Sequence, residues 1–270
     1  MASAALNNGQ AAASLQVRKF DPRSIEDARV VLIVGKRNTG KSVLAKDLLY
    51  HKRHLPVGVV MSGTEEGNGW YKNWVPDSFI YNDFDKGVVE GVIDRQKRMC
   101  RAGKAKNMFL VLDDCLYDKK ILREKCMRAL FMNGRHWKVY LMITAQYLMD
   151  VPPDVRTNID YVVVLREPSL QNRRRLYDTF FGAFPTFDMF CQVMDKCTEN
   201  FECLVLDNVT RSNKLDDIVF WYKAKVRSGF TMGSPLFWRF HGNNYDPEHE
   251  EHPPMPSRPM RKNSIIVHKA

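Results

Sequence analysis

The sequence predicts an α/β protein with a mostly parallel central sheet flanked by helices, and with strands from the C-terminal part of the chain extending that sheet. Two observations carry this expectation. Five short runs dominated by Val, Ile, Leu and Met lack the polar alternation of a half-exposed strand, and strands buried on both faces read in this way. Between them lie longer segments with helical spacing, and strands that alternate with helices build parallel sheets with helices packed on each side.

The first run begins near Arg29 as VVLIV and stops at Gly35; TGKSVLAKDLLYHK then reads as a helix. Val57 to Met61 is the second strand, ending in SGTEEGNG, and Val88 to Arg98 has a helical pattern that runs into the basic stretch RQKRMCRAGKAK. MFLVLDDC supplies the third strand. Lys119 to Met132 reads as one helix, Val139 to Gln146 as the fourth strand and Tyr161 to Glu167 as the fifth. Beyond them, Ser169 to Phe181 and Phe187 to Asp195 are expected helices, while FECLVLD and DIVFWYKAKV are an expected strand pair. The chain divides accordingly into a flexible N-terminal tail over residues 1–28, one main domain over residues 29–227 and a C-terminal extension over residues 228–270. The extension is rich in Pro, Gly, His and charge; its end is expected to be basic and mobile, with Phe237 and Trp238 as docking points.

At 270 residues with 44% hydrophobic side chains, the chain has ample material for a buried core, which excludes a wholly disordered protein. No run approaches the roughly 18 apolar residues of a membrane span, so a soluble protein with no integral membrane segment is expected. Lys and Arg outnumber Asp and Glu by 41 to 31, and the resulting charge of +10 favours phosphate-rich or acidic partners. Six cysteines without a C-x-x-C pair read as reduced thiols of an intracellular protein, and the spacing of Cys191, Cys197 and Cys203 does not match a zinc site. The first residues lack both an apolar signal core and the arginine density of a transit peptide.

Gly35 to Ser42, GKRNTGKS, fits G-x-x-x-x-G-K-[ST] directly after a strand and at the start of a helix, the setting of a P-loop. Its chemistry is anion recognition. Glycines let backbone N–H groups turn toward phosphates, the helix N-terminus adds a favourable dipole, Lys41 neutralises the β- and γ-oxygens, and Ser42 supplies a hydroxyl to magnesium. The expected nucleotide-contact set is Gly35, Lys36, Arg37, Asn38, Thr39, Gly40, Lys41, Ser42 and Val43, with ATP and Mg2+ as cofactors. In FLVLDD, four apolar residues deliver two carboxylates to the end of a strand, where open α/β sheets bind ligands. Asp113 is the expected magnesium ligand and Asp114 the group that orients or deprotonates the attacking water. Gln146, closing the fourth strand, is placed to sense the γ-phosphate or that water.

Two other P-loop classes compete with ATP hydrolysis. Asn213 to Asp216, NKLD, fits the guanine-recognising NKxD pattern, but it sits in a polar stretch rather than at the end of an apolar strand, and no DxxG follows the Asp113 strand. A nucleotide kinase could use Arg173, Arg174 and Arg175 as phosphate clamps. A kinase, however, has no need of a doubled carboxylate to position water, and the triplet reads instead as a solvated helix face.

With GKRNTGKS, FLVLDDC, the NGRH of Asn133 to His136, ITAQ and VPPDVRTNIDYVVVLREP in that order, the chain from about Arg29 to Val226 resembles the genome-packaging ATPases of nucleocytoplasmic large DNA viruses. These poxvirus-type enzymes belong to the FtsK/HerA superfamily. The resemblance implies an additional-strand P-loop ATPase that translocates viral double-stranded DNA into a capsid, acting as a ring, a pentamer or hexamer, with sites at subunit boundaries. It also implies a capsid or portal component as partner, and a location in the host cytoplasm at the viral factory or in the virion. Family members often carry Asp-Glu at the second motif; here the pair is Asp113 and Asp114, and the shorter carboxylate can still orient water. By the same resemblance a neighbouring subunit supplies an arginine to each site, with Arg135 in FMNGRHW as first choice and Arg156 in PPDVRTN as second. Arg95, Lys97, Arg98, Arg101, Lys104 and Lys106, in a stretch free of acids, are the expected DNA contacts, gripping phosphates without regard to sequence. The competing class is an ATP-gated tether of DNA or capsid without processive turnover, for which Asp114 would have little use.

Overall fold

The five apolar runs form the middle of one sheet. The computed structural model describes residues 15–118, 120–146 and 151–246. In chain order its elements are β1 (Arg18–Lys19), β2 (Val30–Val34), α1 (Lys41–Tyr50), β3 (Gly58–Ser62), α2 (Glu65–Asn68), β4 (Ile80–Tyr81), α3 (Lys86–Arg101), β5 (Met108–Asp113), α4 (Lys125–Asn133) and β6 (Val139–Ala145). They continue with α5 (Pro153–Arg156), β7 (Tyr161–Val164), α6 (Leu170–Thr179), α7 (Phe187–Cys197), β8 (Glu202–Asp207), α8 (Leu215–Ile218), β9 (Val219–Lys223) and α9 (Pro235–Asn244). The strands lie in the order β1-β9-β8-β7-β2-β6-β5-β3-β4. Every neighbouring pair is parallel except the two that β8 makes, with β7 and with β9, so β8 alone runs against the rest.

Unbroken apolar sequence is what this position in the sheet requires. Val30, Leu32 and Val34 of β2 face one core, shared with α3, α4, α5, α6 and α7, while Val31 and Ile33 face the other, shared with α1 and with Phe237 of α9. Alternate residues of a strand point to opposite faces, so a polar residue at either parity would sit in a core. Helix α1 is fastened to the far side of the sheet by Asp47, which is fully buried. Its carboxylate accepts from the Tyr222 hydroxyl at 2.6 Å, the Lys225 amide at 2.9 Å and the Arg227 guanidinium at 2.6 Å.

The expected strand pair does extend the sheet, in antiparallel fashion. Elsewhere the structure corrects the sequence. Lys119 to Met132 is not one helix: Ile121–Arg123 is a 3-10 turn, Glu124 is extended at ψ 139°, and α4 starts at Lys125. Lys119 itself lies outside the described residues. The tail assigned to residues 1–28 is folded over its second half, where β1 pairs with β9, and Phe20 and Ile25 are 5% and 2% exposed. Phe20 and Ile25, five residues apart among polar neighbours, give no periodic signal, yet each is buried in the core. Phe237 of the extension is buried against Phe79 at a ring separation of 4.3 Å, as expected of a docking point, whereas the Trp238 indole donates to Met232 O at 2.9 Å within the extension itself. The basic stretch expected to be mobile lies outside the described residues. No described helix is long and apolar enough to cross a membrane.

Parallel strands share a C-terminal edge. The segments that follow β2, β5, β6 and β7 meet there, joined by the turn that precedes the reversed β8.

Candidate active site

The loop after β2 is built to turn tightly. A Cβ on Gly35 would lie 2.6 Å from Leu165 Cδ1 and 2.9 Å from Thr39 Oγ1, so a larger residue there would have to push both side chains aside. Asn38 and Gly40 take left-handed backbone at φ 62° and 93°, and the Thr39 hydroxyl closes the turn on Lys36 O at 2.7 Å. Helix α1 has Gly40 at its cap and no side-chain bond there, as also holds for α4 and the short α2, α5 and α8, whereas α3, α6, α7 and α9 are capped by the side chains of Asp85, Ser169, Thr186 and Ser234. The first-turn amides of α1 therefore have no protein acceptor of that kind and face the loop, the arrangement that binds anions. Lys36 is held to the side by Glu167 at 2.8 Å, Arg37 and Asn38 are exposed, and Val43 is half-buried in the first turn.

Two strands away, β5 and β6 set Asp113 opposite Thr144. The Thr144 hydroxyl donates to Asp113 Oδ1 at 2.5 Å and accepts from the Asp114 amide at 3.0 Å, which ties the Asp113 carboxylate and the Asp114 backbone to one side chain. Asp113 is 5% exposed, and burial pushes its carboxyl above the usual range, with the neighbouring Asp114 charge adding to the effect. Tyr71 brings its phenol beside Asp113; its own ionisation is pushed far up by burial and by the Asp113 charge. Asp114 adopts φ 52°, a left-handed conformation that aims its side chain back across the edge. There Lys41 forms an ion pair with Asp114 Oδ1, and the Gln146 amide donates to Oδ2 at 3.3 Å. Gly63 makes this approach possible: its amide donates to Asp113 O at 3.1 Å, and a Cβ would sit 3.1 Å from Asp114 O.

The donor set fits magnesium. Asp113 makes no ion pair among the described residues, Lys41 being occupied by Asp114, and the exposed Ser42 hydroxyl opens the first turn of α1. Mg2+ is commonly bound through one or two protein oxygens with the remaining positions filled by phosphates and water, and the Ser42 hydroxyl and Asp113 carboxylate are hard oxygens of the kind it takes.

The remaining candidates stand elsewhere. Arg135 lies at the opposite, N-terminal edge, 3.6 Å from Asp160, the residue that leads into β7 and accepts from the Val30 amide at 2.8 Å. Arg156 ends α5, half-buried, and donates to Val151 O at 3.2 Å. Neither joins the cluster within its own chain. Arg95, Lys97, Arg98 and Arg101 ride on α3, with Lys104 and Lys106 following it into β5, at the same edge as Arg135. The buried Gln96 pins this segment by donating to Lys106 O at 3.1 Å and Trp137 O at 2.6 Å. Lys97 sits over the Trp137 ring at 4.7 Å, while Arg95, Arg98, Arg101, Lys104 and Lys106 are exposed. NKLD falls between β8 and β9, also at the N-terminal edge and away from the P-loop. The arginine triplet is not wholly a solvated face: Arg173 is 8% exposed and braces Glu167 O and Asp195, both at 2.6 Å, whereas Arg174 and Arg175 are exposed.

Thr144 in its bridging role, Tyr71, and the Lys36–Glu167 pair escaped the sequence reading. Each depends on which strands are neighbours, and no linear motif states that.

No family model matches the chain. Among curated proteins, it is 33% identical over 244 residues to the uncharacterized protein L437 of Acanthamoeba polyphaga mimivirus, covering 87% of this chain and 86% of that one. It is 39% identical over 195 residues to the uncharacterized protein 088R of Invertebrate iridescent virus 3, covering 72% and 75%. Among solved structures, the genome packaging NTPase B204 from Sulfolobus turreted icosahedral virus 2, in complex with AMPPCP, superposes with a TM-score of 0.54 and 15% identity, over 74% of this chain and 100% of that one. The pCW3 conjugation coupling protein TcpA, with ATPgS, superposes with a TM-score of 0.51 and 15% identity, over 74% and 61%. At these identities the two structures speak for the fold.

Proposed function

Because the chain belongs to the family of genome-packaging ATPases of nucleocytoplasmic large DNA viruses, we propose that it hydrolyses ATP at the C-terminal edge of its sheet and uses that reaction to move double-stranded viral DNA into a capsid. The observation that carries this reading is the convergence of Lys41, Asp114 and Gln146 on one point, with Asp113 held beside them through Thr144. B204 is a packaging NTPase and TcpA a conjugation coupling protein, which favours a DNA-handling ATPase over a nucleotide kinase.

The chemistry follows from the residues. Lys41 exchanges its partner, leaving Asp114 for the β- and γ-phosphate oxygens. That exchange frees Asp114 to accept a proton from, or orient, the water attacking the γ-phosphate, while Gln146 holds the carboxylate in line. Ser42 and Asp113 would hold Mg2+, whose role is to neutralise charge on the phosphates. The ion pair between Lys41 and Asp114 thus keeps the base occupied until a phosphate takes the lysine away. Arg135, on the far edge, is free of its own site and available to complete a neighbour's in a ring; Arg156 is the second candidate. The basic edge of Arg95, Lys97, Arg98, Arg101, Lys104 and Lys106 grips DNA phosphates.

The test is ATP hydrolysis measured against protein concentration, with and without double-stranded DNA. We expect turnover that rises cooperatively with concentration and is stimulated by DNA. Lys41→Ala should abolish nucleotide binding, and Asp114→Asn should lower kcat by about 100-fold or more while leaving ATP bound. ATP binding without DNA-stimulated turnover, at concentrations where oligomers are seen, would mark a gated tether instead.

A further inference from the structure

On the other side of the P-loop from the carboxylates, the turn before β8 carries an aromatic ring that the chemistry above does not use. Phe201 is 66% exposed, and its backbone is left-handed at φ 64°, directly after Asn200 at φ 50°. A bulky residue in that region is an outlier, and a mostly exposed ring gains little burial to offset it. The turn is closed by the Glu202 amide on Glu199 O at 2.8 Å, and it sets the ring against the P-loop. A Cβ on Gly40 would lie 3.3 Å from Phe201 Cδ1, 3.7 Å from its Cβ and 3.9 Å from its Cγ.

Sheet order gives this position its meaning. Asp113, Asp114 and Gln146 stand on or directly after β5 and β6, to one side of β2, whereas Phe201 precedes β8, beyond β7 on the other side. A triphosphate lying along the loop with its γ end at Lys41 and Asp114 leaves its nucleoside on the β7–β8 side. We propose that Phe201 is the platform on which the base of the bound nucleotide stacks. This inference rests on the reading of the edge as the ATP site. A phenyl face accepts the π-face of any base, so the contact adds affinity for a nucleoside over bare phosphates without reading base edges. It lies away from the γ-phosphate and acts on KM rather than kcat.

Equilibrium binding of MgATP and of magnesium tripolyphosphate to the full chain, with Phe201→Ala, Phe201→Leu, Phe201→Trp and Lys41→Ala, tests it. Phe201→Ala and Phe201→Leu should weaken ATP on the order of tenfold, within what base stacking on an aromatic ring contributes, and leave tripolyphosphate unchanged. Phe201→Trp should keep ATP affinity and show indole quenching with ATP but not with tripolyphosphate. If Phe201→Leu and Phe201→Ala bind ATP as the parent does, while Lys41→Ala binds neither ligand, the site stands and the platform is wrong. Equal losses for both ligands would also overturn it, since Phe201 would then only shape the loop. A parent protein that binds neither ligand would instead remove the ATP site itself. Should Phe201→Ala fail to fold, the Leu and Trp variants decide the question.

Discussion

Five non-glycine residues in the described chain take left-handed backbone, namely Asn38, Asp114, Lys138, Asn200 and Phe201, and all but Lys138 stand on the C-terminal edge of the sheet. Strain gathered at one place is the mark of a site that the rest of the fold holds in shape. Relieving it should trade affinity for stability: Phe201→Gly is expected to raise the free energy of unfolding by about 1 kcal/mol, since glycine adopts φ 64° without the Cβ clash, while weakening ATP. Urea denaturation of the nucleotide-free protein checks the first half; a variant no more stable than the parent would show that Phe201 is unstrained. GKRNTGKS and FLVLDD were legible in the sequence because each pattern is complete along the chain. Thr144, Tyr71 and Phe201 were not, because each reaches its partner across the sheet.

At the scale of elements, the same divide holds. The five central strands were legible because burial on both faces leaves an unbroken apolar run. β1 and β4, of two residues each, carry no pattern at that length. Close packing between strands adds a constraint that composition hides. A Cβ on Gly58 of β3 would fall 2.2 Å from the ring of Phe109 on β5, in a core where Phe109 is fully buried. Gly58→Ala should therefore cost about 1–3 kcal/mol through overpacking, read as a lower Tm, and pairing it with Phe109→Leu should recover part of the loss. A Gly58→Ala protein as stable as the parent would mean the ring is free to move aside.

The whole molecule is polar along its strands, with Lys41, Asp113, Asp114 and Gln146 gathered at one edge and exposed basic side chains at the other. A net charge of +10 was readable from composition, but that the exposed Arg95, Arg98, Arg101, Lys104 and Lys106 fall on the edge opposite the P-loop needed the topology. If that edge grips DNA, replacing Arg101, Lys104 and Lys106 together by Ala should flatten the dependence of log affinity on log salt by about 0.9 for each phosphate no longer neutralised. An unchanged slope in a filter-binding or anisotropy titration would take this surface out of the DNA path.

The one reversed strand, β8, also dictates the order in which this molecule can be made. Translation delivers the P-loop segment early and the turn bearing Phe201 only in the last third of the chain, so the C-terminal edge of the sheet is finished late. Until β8 arrives, β7 stands at the rim of a growing sheet, and its four residues, Tyr161–Val164, are all buried in the finished fold. A bare apolar rim of that kind templates pairing between copies. The nascent chain is therefore most in need of shielding in the interval between β7 and β8, and a fragment cut in that interval keeps every residue of the P-loop yet should aggregate rather than bind nucleotide.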